Sequence, residues 1–326
     1  MRTTVVARRR RLHGPGTPRT IGALAGWSVS ADDRVMAHDI TASEAAEGRQ
    51  TTSTSVGWVG LGDQGLPMAT AIAEAGFSLH VWARRAASLD ALGDVPHVRH
   101  DDLESLAAAS DVVGLCVGTD EDVMNLLTGG LLDGLRPGSV VVNHGTGTPS
   151  NVTRFVEACE AVDVVMLDAP VSGGRPAAVE RRLTTMVGGP EAAVARCTPV
   201  FEAFSTHVVH LGDAGSGQWA KLFNNALMIL NQASIADVFD LAAQVGMDPV
   251  QLREVLMLSS AGSTVLGLFT TMINPDTVEH LSKVESLDIE LFHDALRDSG
   301  IDASAVTTRA LAGAQRIPAV VERLAR

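Results

Sequence analysis

The chain has 326 residues, of which 46% are apolar but only 4% aromatic, and its formal net charge is -13. This length most naturally forms two domains with a core of Ala, Val and Leu. Residues 1–55 contain eight arginines against five acidic residues, whereas the rest of the chain has 17 basic against 33 acidic residues. The excess of acidic residues after residue 55 argues against broad nucleic-acid binding.

The first 55 residues differ in texture from the rest. Four consecutive arginines at 8–11 precede a weakly apolar stretch at 21–31, which superficially resembles a twin-arginine export signal. The stretch is short, so we favour a disordered tail, or a start of translation near Met36. Residues 41–55, rich in Ser, Thr, Ala and Glu, are typical of a linker.

The three cysteines, Cys116, Cys159 and Cys197, lie in apolar or helical contexts without metal-type spacing. They indicate reduced core thiols in a cytoplasmic protein, and no metal site. No apolar run reaches the ~20 residues that a membrane span requires, so we expect a soluble protein without a membrane partner.

From residue 56, short apolar runs alternate with amphipathic helical segments, a pattern typical of a parallel sheet covered on both faces. Strands are predicted near 56–60, 78–82, 97–99, 112–117, 139–143 and 163–168, with helices between them that include 65–76, 120–128 and 149–161. A strand at 183–187, a helix at 190–204 and a strand at 206–211 are expected to extend this sheet. The fold class is therefore α/β, with a Rossmann-type doubly wound sheet over residues 56–214.

After residue 214 the sequence becomes helical to its end, which predicts an all-α domain over residues 215–326. It begins with a long apolar helix from about 217 to 245 that stops at Gly246. Helices of this length and apolarity usually cross between domains or subunits, so we expect a homodimer or homotetramer.

The first strand leads into a glycine-rich loop with the G-x-G-x-x-G spacing and then into a helix. In such a loop Gly60 permits the tight turn, Gly62 admits a pyrophosphate to the backbone, and Gly65 lets helix and strand pack closely. The flanking strand, helix and second strand make this motif specific for a dinucleotide. The candidate cofactor residues here are Gly60, Leu61, Gly62, Gln64, Gly65, Pro67 and Met68.

The second strand ends in Trp82-Ala83-Arg84-Arg85, where a site for NAD would carry an acid that binds the ribose 2'-hydroxyl. The acid is missing, and two guanidinium groups suited to a 2'-phosphate follow instead. The pattern favours NADP over NAD, although the arginines would also suit a solvated helix start. Val117, at the end of the predicted fourth strand, is a further cofactor candidate.

Only two of the 25 basic residues that are not histidine are lysines, and one is Lys221. A guanidinium cannot release its proton at physiological pH, whereas an ammonium can be tuned to act as acid or base. Gly217, Lys221 and Asn225 are spaced by four, so they stack on one helix face, and we expect the glycine to leave open space for the other two. This face lies at the junction of the two domains, the usual place for a ligand cleft.

A second polar element, Asp168 to Gly174, follows the sixth strand at its carboxyl end, the edge where open parallel sheets bind ligands. Ser172 and the N–H groups of Gly173 and Gly174 form a compact cradle that suits a carboxylate.

Together, the glycine loop with Pro67 and Met68, the segment ending at Gly174 and the Lys221 helix resemble the β-hydroxyacid dehydrogenase family over about residues 56–326. That family includes 3-hydroxyisobutyrate dehydrogenases and glyoxylate or semialdehyde reductases. The resemblance implies hydride transfer between NADP and a small β-hydroxy acid or its semialdehyde, with Lys221 as proton donor or acceptor. It also implies that Ser172, Gly173, Gly174 and Asn225 hold the substrate carboxylate and that Thr146 lies near the nicotinamide.

The chain departs from the family after the fifth strand, where Asp-x-Ser-Thr is usual and Asn143-His144-Gly145-Thr146 stands instead. One polar cofactor contact is therefore expected to be lost. His144 is a rival acid or base, but we favour a hydrogen-bonded structural histidine.

Other departures are cationic. Arg181 and Arg182 stand where the family tends to have small residues; they would favour a more anionic substrate or simply face solvent. A Lys-Asp pair usual near the cofactor appears as Leu287-Asp288. Lys283, one helical turn earlier, is hypothesised to reach the vacated cofactor position, the alternative being an exposed lysine.

Two rival functions remain open at this stage. An imine reductase-like enzyme would use the same cofactor, but the carboxylate cradle and Lys221 suit a hydroxy acid better. A non-catalytic NADP-binding regulatory protein would explain the departures, but the retention of Lys221 and Asn225 argues against it.

Overall fold

The computed structural model describes residues 54–325. The predicted tail, export-like signal and linker lie outside the described residues, except that Ser55, the last residue of the predicted linker, already begins the first strand.

Six parallel strands form the main sheet, in the order β3-β2-β1-β4-β5-β6. They are β1 (Ser55–Val59), β2 (Ser78–Trp82), β3 (Val98–Arg99), β4 (Val112–Leu115), β5 (Val140–Asn143) and β6 (Val165–Asp168). The chain builds outward from β1 to β3 and then crosses to β4, so a crevice opens between β1 and β4 at the carboxyl ends of the strands. The predicted fold class is confirmed.

Helices cover both faces of this sheet. They are α1 (Gly65–Glu74), α2 (Leu103–Ala108), α3 (Asp120–Leu126), α4 (Leu132–Gly134) and α5 (Pro149–Glu160), together with a 3-10 turn (Ala86–Leu92) and a π turn (Leu127–Leu131). Along β5, Val140 and Val142 join one apolar cluster and Val141 joins the other. Burial on both faces explains why the strands are continuous apolar runs rather than alternating ones.

The next three strands form a separate small sheet. This corrects the prediction that the strands at 183–187 and 206–211 extend the main sheet; the first of the three strands was not predicted. They are β7 (Val171–Ser172), β8 (Leu183–Val187) and β9 (Ser205–His210), with β8 in the centre and antiparallel to β7. Helices α6 (Gly174–Val179) and α7 (Glu191–Phe201) connect them. The sheets touch through one antiparallel bridge between Asp168 and Gly188, and Pro170, which has no N–H, follows soon after the bridge.

Six helices follow: α8 (Ser216–Gln244), α9 (Pro249–Met257), α10 (Thr264–Leu268), α11 (Val278–Asp298), α12 (Ser304–Ala314) and α13 (Ile317–Leu324). The change from sheet to helix falls between His210 and Ser216, next to the predicted boundary, and the described residues pack as one compact unit. Within residues 54–325, α8 has the length and mean hydropathy of a membrane span. It packs against α11, α12 and α13.

Helices α8 and α12 approach each other at backbone distance. A Cβ atom added to Gly313 would lie 2.5 Å from the Cβ and 3.0 Å from the Cα of Ala233. No side chain larger than hydrogen fits there unless the helices separate.

We expect Gly313→Ala to lower the free energy of unfolding. The extra methyl group costs about 1–3 kcal/mol in a packed interface, which exceeds the gain of about 1 kcal/mol in helix propensity. Urea denaturation measures the difference. Gly267→Ala is the control, because its added Cβ would meet only the Cε of Met257, at 3.6 Å. Equal stability of both variants would contradict the close approach.

Candidate active site

A cleft of about 490 Å³ opens at the carboxyl ends of β1, β2 and β4. Seven of the predicted cofactor residues line it: Gly60, Leu61, Gly62, Ala83, Arg84, Arg85 and Val117. Sequence reasoning missed nine others. Four adjoin predicted residues along the chain: Val59, Trp82, Cys116 and Gly118. The other five come from the 3-10 turn, α2 and α3, which carry no motif: Ser88, Leu103, Asp122, Asn125 and Leu126.

The glycine loop has the geometry that a dinucleotide requires. Gly60 has a φ of +103°, and a Cβ atom there would lie 2.1 Å from the carbonyl oxygen of Cys116. A Cβ on Gly65 would lie 2.0 Å from the carbonyl oxygen of Gly60, whereas one on Gly62 would meet nothing within 4 Å. The outer two glycines thus close the loop, and the middle one leaves its backbone open to a ligand.

The remaining predicted residues of the loop do not line the cleft. Gln64 precedes the first turn of α1 and Gly65 and Pro67 lie within that turn, while Met68 is fully buried in the core beneath the sheet. Met68 therefore belongs to the core rather than to the lining of the cleft.

Two exposed arginines stand where β2 ends. Arg84 lies 3.8 Å from the carboxylate of Asp122, and both it and Arg85 line the cleft. No acidic residue follows β2 at the ribose position, so the local charge there is positive.

A buried carboxylate fixes the start of the lysine helix. Asp168, at the end of β6, accepts hydrogen bonds from the backbone N–H of Gly215 (2.7 Å) and of Gln218 (2.8 Å). Burial raises the pKa of Asp168, and these N–H donors act against that rise. Two N–H groups that the first turn of α8 leaves without a helical partner are thereby satisfied.

Gly217 has a different role from the predicted one. A Cβ atom there would lie 2.5 Å from the carbonyl oxygen of Met186 and 2.9 Å from Oδ2 of Asp168. The glycine does not leave open space for Lys221 and Asn225; it allows α8 to start in contact with β6 and β8.

Lys221 and Asn225 lie together beside Asp288 of α11. Asn225 donates from Nδ2 to Oδ2 of Asp288 over 2.9 Å. Burial lowers the pKa of Lys221, and the nearby carboxylate of Asp288 opposes that shift. Burial in turn raises the pKa of Asp288, against the effects of Lys221 and Asn225. Burial and Asp288 thus shift the pKa of the Lys221 amine in opposite directions. Such a balance suits a group that must both take up and release a proton.

The loop after β5 is fastened to the lysine helix by Gln218, which is fully buried. Its side chain donates to the carbonyl oxygen of Gly145 (2.8 Å) and accepts from the N–H of Gly147 (2.9 Å), so Thr146 is held between these two contacts. A Cβ atom on Gly145 would lie 2.7 Å from the carbonyl oxygen of Val117, so the site has no room for the side chain that the family usually has. The one sequence signal for Gln218 is its place beside Gly217.

His144 is a structural histidine, as predicted. Its Nδ1 lies 2.9 Å from the carbonyl oxygen of Ala169, and its ring stacks on Trp58 with 5.3 Å between centroids. Burial lowers the pKa of His144 to about 4. A buried, neutral and hydrogen-bonded ring does not compete with Lys221 as the acid or base.

The predicted cradle forms a sharp turn between β7 and α6. Ser172 ends the strand, and Gly173 and Gly174 follow with φ values of +130° and +65°, which favour glycine. A Cβ atom on Gly174 would lie 2.9 Å from Sδ of Met272, so the helical part of the chain reaches the cradle.

The cations near the cradle are engaged with acids. Arg175 donates to the carbonyl oxygen of Asp63 in the glycine loop over 3.4 Å. Arg181 pairs with Glu74, and Arg182 pairs with Glu180, all partly exposed. The solvent-facing alternative therefore holds for Arg181 and Arg182.

Lys283 is exposed on α11 and is not among the residues that line the cleft, and Leu287 is 59% exposed. The structure does not bring Lys283 to the cofactor cleft.

Comparison with known proteins agrees with this geometry. Residues 55–212 match the NAD binding domain of 6-phosphogluconate dehydrogenase, and residues 215–316 match the family described as NAD-binding of NADP-dependent 3-hydroxyisobutyrate dehydrogenase. A probable mitochondrial 3-hydroxyisobutyrate dehydrogenase-like protein of Arabidopsis thaliana is 34% identical over 69% of this chain and 75% of its own length. The chain belongs to the β-hydroxyacid dehydrogenase family. It is an NAD(P)-dependent oxidoreductase.

Further relatives show the spread of the family. The 2-hydroxy-3-oxopropionate reductase of Escherichia coli is 33% identical over 65% of this chain and 73% of its own length. The structure of Mycobacterium tuberculosis 3-hydroxyisobutyrate dehydrogenase with L-serine matches with a TM-score of 0.74 at 24% identity, over 84% of this chain and 99% of that one. Below 25% identity such a match supports the fold alone.

Proposed function

We propose that this protein is an NADP(H)-dependent enzyme that interconverts a small β-hydroxy acid and the corresponding semialdehyde. The observation that carries this proposal is the grouping of Lys221 and Asn225, on the helix that Asp168 fixes to the sheet, with Asp288 of α11. A bound nicotinamide would accept or supply the hydride.

Lys221 handles the proton. In oxidation, its neutral amine takes the proton of the substrate hydroxyl while the C–H electron pair leaves as hydride and the C=O bond forms; in reduction, its ammonium returns a proton to the forming alkoxide. Burial of Lys221 favours the neutral amine, and Asp288 favours the ammonium. Reduction uses the charged form that a lysine ordinarily has, so we propose reduction as the cellular direction.

The carboxylate of the substrate is proposed to bind to Ser172, to the N–H groups of Gly173 and Gly174, and to Asn225. Nδ2 of Asn225 is already oriented by Asp288. This arrangement would place the hydroxyl-bearing carbon near the amine of Lys221.

The choice of NADP is supported by Arg84 and Arg85, which line the cleft without an acid at the ribose position. Arginine forms paired, charge-assisted hydrogen bonds with phosphate oxygens. NAD would leave both guanidinium groups without an anionic partner from the ligand.

The rival functions explain less of the site. Reductive aminase from Aspergillus terreus shares the fold, with a TM-score of 0.56 at 19% identity. Imine reduction does not require a carboxylate on the substrate and so leaves the cradle unexplained, and a regulatory protein would have no use for a partly buried lysine beside an aspartate.

We also propose a homo-oligomer that forms through an apolar face of α8 and the segment after it. Leu227, Leu241, Val245 and Leu258 are 61%, 64%, 75% and 91% exposed. Exposed apolar area on this scale is typical of subunit interfaces.

Lys221→Met should abolish turnover while leaving the cofactor bound. We expect kcat/KM for NADPH-dependent reduction to fall by about 10²- to 10⁴-fold, across glyoxylate and the succinic, methylmalonate and tartronate semialdehydes. NADPH binding, measured by fluorescence, should be unchanged. The control is Lys283→Met, which removes the only other lysine and should alter neither constant. Tight NADPH binding by the natural chain without turnover of any substrate would contradict the proposal.

Arg84→Ala combined with Arg85→Ala should reverse the cofactor preference. Loss of the phosphate contacts should raise KM for NADPH by about 10- to 100-fold and leave KM for NADH nearly unchanged. Arg99→Ala is the matched control, because Arg99 is exposed and pairs with Asp90 away from the cleft. Equal effects on both cofactors would argue against NADP.

Leu227→Glu with Leu241→Glu should convert the oligomer to monomers, because four charged carboxylates would be buried in a dimer interface. Sedimentation velocity measures the change. Val98→Glu serves as the control, because Val98 is exposed on β3, far from α8 in the chain. A monomeric natural protein, or a variant that stays oligomeric, would refute the proposed interface.

A further inference from the structure

A second polar pair lies behind the contact between Asn225 and Asp288. Glu285 precedes Asp288 by one turn of α11 and is 3% exposed, and Gln232 of α8 is 1% exposed. Gln232 donates from Nε2 to Oε1 of Glu285 over 2.9 Å. A row of polar side chains therefore runs through the interface of α8 and α11, from Lys221 and Asp288 to Glu285 and Gln232.

Two oxygen atoms of this pair, Oε1 of Gln232 and Oε2 of Glu285, are buried without a hydrogen-bond partner. Buried acceptors are normally satisfied, and a carboxylate has no proton to offer. A carboxylic acid does: its O–H can donate to the amide oxygen while the amide N–H donates back. Protonation of Glu285 would thus supply the one donor that the pair lacks.

The charges around Glu285 also favour its neutral form. Burial raises the pKa of Glu285 to about 7, and the neighbouring Asp288 adds to the rise, although the hydrogen bond from Gln232 opposes it. The cation on the α8 side, Lys221, interacts with Asp288.

The arginines of α12 and beside or within α13, the other helices that pack against α11, have partners other than Glu285. Arg309 of α12 donates to Ser234, and Arg316, which precedes α13, pairs with Asp237 and Asp240. Arg323 of α13 also pairs with Asp240.

We propose that Glu285 is a positioning residue that holds a proton near neutral pH and, when it releases that proton, raises the proton affinity of Lys221. This proposal rests on the role of Lys221 in the proposed function. Ionised Glu285 adds a second negative charge to the interface of α8 and α11 that holds the amine, so the ammonium persists to higher pH. The pair would hold the enzyme in its reducing form as the pH rises.

The first test follows folding and needs no turnover. The carboxyl has a pKa of about 7 when folded against an ordinary 4.5, so the folded state binds the extra proton and stability falls as pH rises between these values. Glu285→Gln has no carboxyl group to ionise and does not lose stability in this way. The Tm of the variant minus that of the natural protein should therefore increase from pH 5 to pH 8. Glu290→Gln, which removes an exposed carboxylate from the same helix, should show no such gain.

The second test uses the presence of only two lysines in the chain. In protein labelled with 13C-lysine, NMR should show two Cε signals, and Lys283→Met identifies that of Lys221. The titration midpoint of Lys221 should move to lower pH by about half a unit in Glu285→Gln, and that of Lys283 should stay. Gln232→Met with Glu285→Met, an apolar replacement of similar shape, should give the same shift if Glu285→Gln folds poorly.

The third test is kinetic. The high-pH limb of kcat/KM for reduction should move with the Lys221 midpoint in Glu285→Gln and stay in place in Glu290→Gln. If the Tm difference between Glu285→Gln and the natural protein does not change with pH, Glu285 does not hold a proton near neutral pH. If the titration midpoint of Lys221 does not move in Glu285→Gln, Glu285 does not affect the proton affinity of Lys221. A shifted midpoint in a protein without turnover would instead retain the coupling and reject the proposed function.

Discussion

The active site depends on one buried carboxylate. Asp168 ends β6, bridges to Gly188 of the small sheet and accepts N–H hydrogen bonds from the start of α8. Because Gly217 has no side chain, the helix begins in contact with the strands that surround this carboxylate. Gln218, the next residue, carries the same anchorage to the loop after β5. The start of the lysine helix and the loop after β5 are therefore positioned by contacts within a few residues of Asp168.

Helix α8 begins at this anchor and places Lys221 in its interface with α11, which contains two carboxyl groups. Asp288 and Glu285 of α11 both face the helix, and burial raises the pKa of each. A single ammonium balances only one of two buried carboxylates, so burial favours the neutral form of the other. Asp288, which has Asn225 and Lys221 beside it, is the better placed to ionise, and Glu285, beside an amide, is the better placed to stay neutral.

The sequence predicted the parts that rest on periodicity and on glycine. The valine runs identified the strands because both faces of the sheet are buried, and the loop from Gly60 to Gly65 was recognisable because each glycine there meets a steric requirement. It did not predict what fills the space around Gly217, because a glycine that opens a pocket and one that admits a neighbouring backbone look the same in sequence. The separate small sheet was missed for a related reason, since apolar runs do not reveal their pairing partners.

Gln232 and Glu285 mark the limit of sequence reasoning more sharply. They are 53 residues apart, and in a helical pattern each would be assigned to a solvated face. Their burial follows from the close packing of α8 with α11 and α12, in which Gly313 lies against Ala233, the residue after Gln232. The packing that buries the pair thus links the protonation of Glu285 to the stability of the helical part.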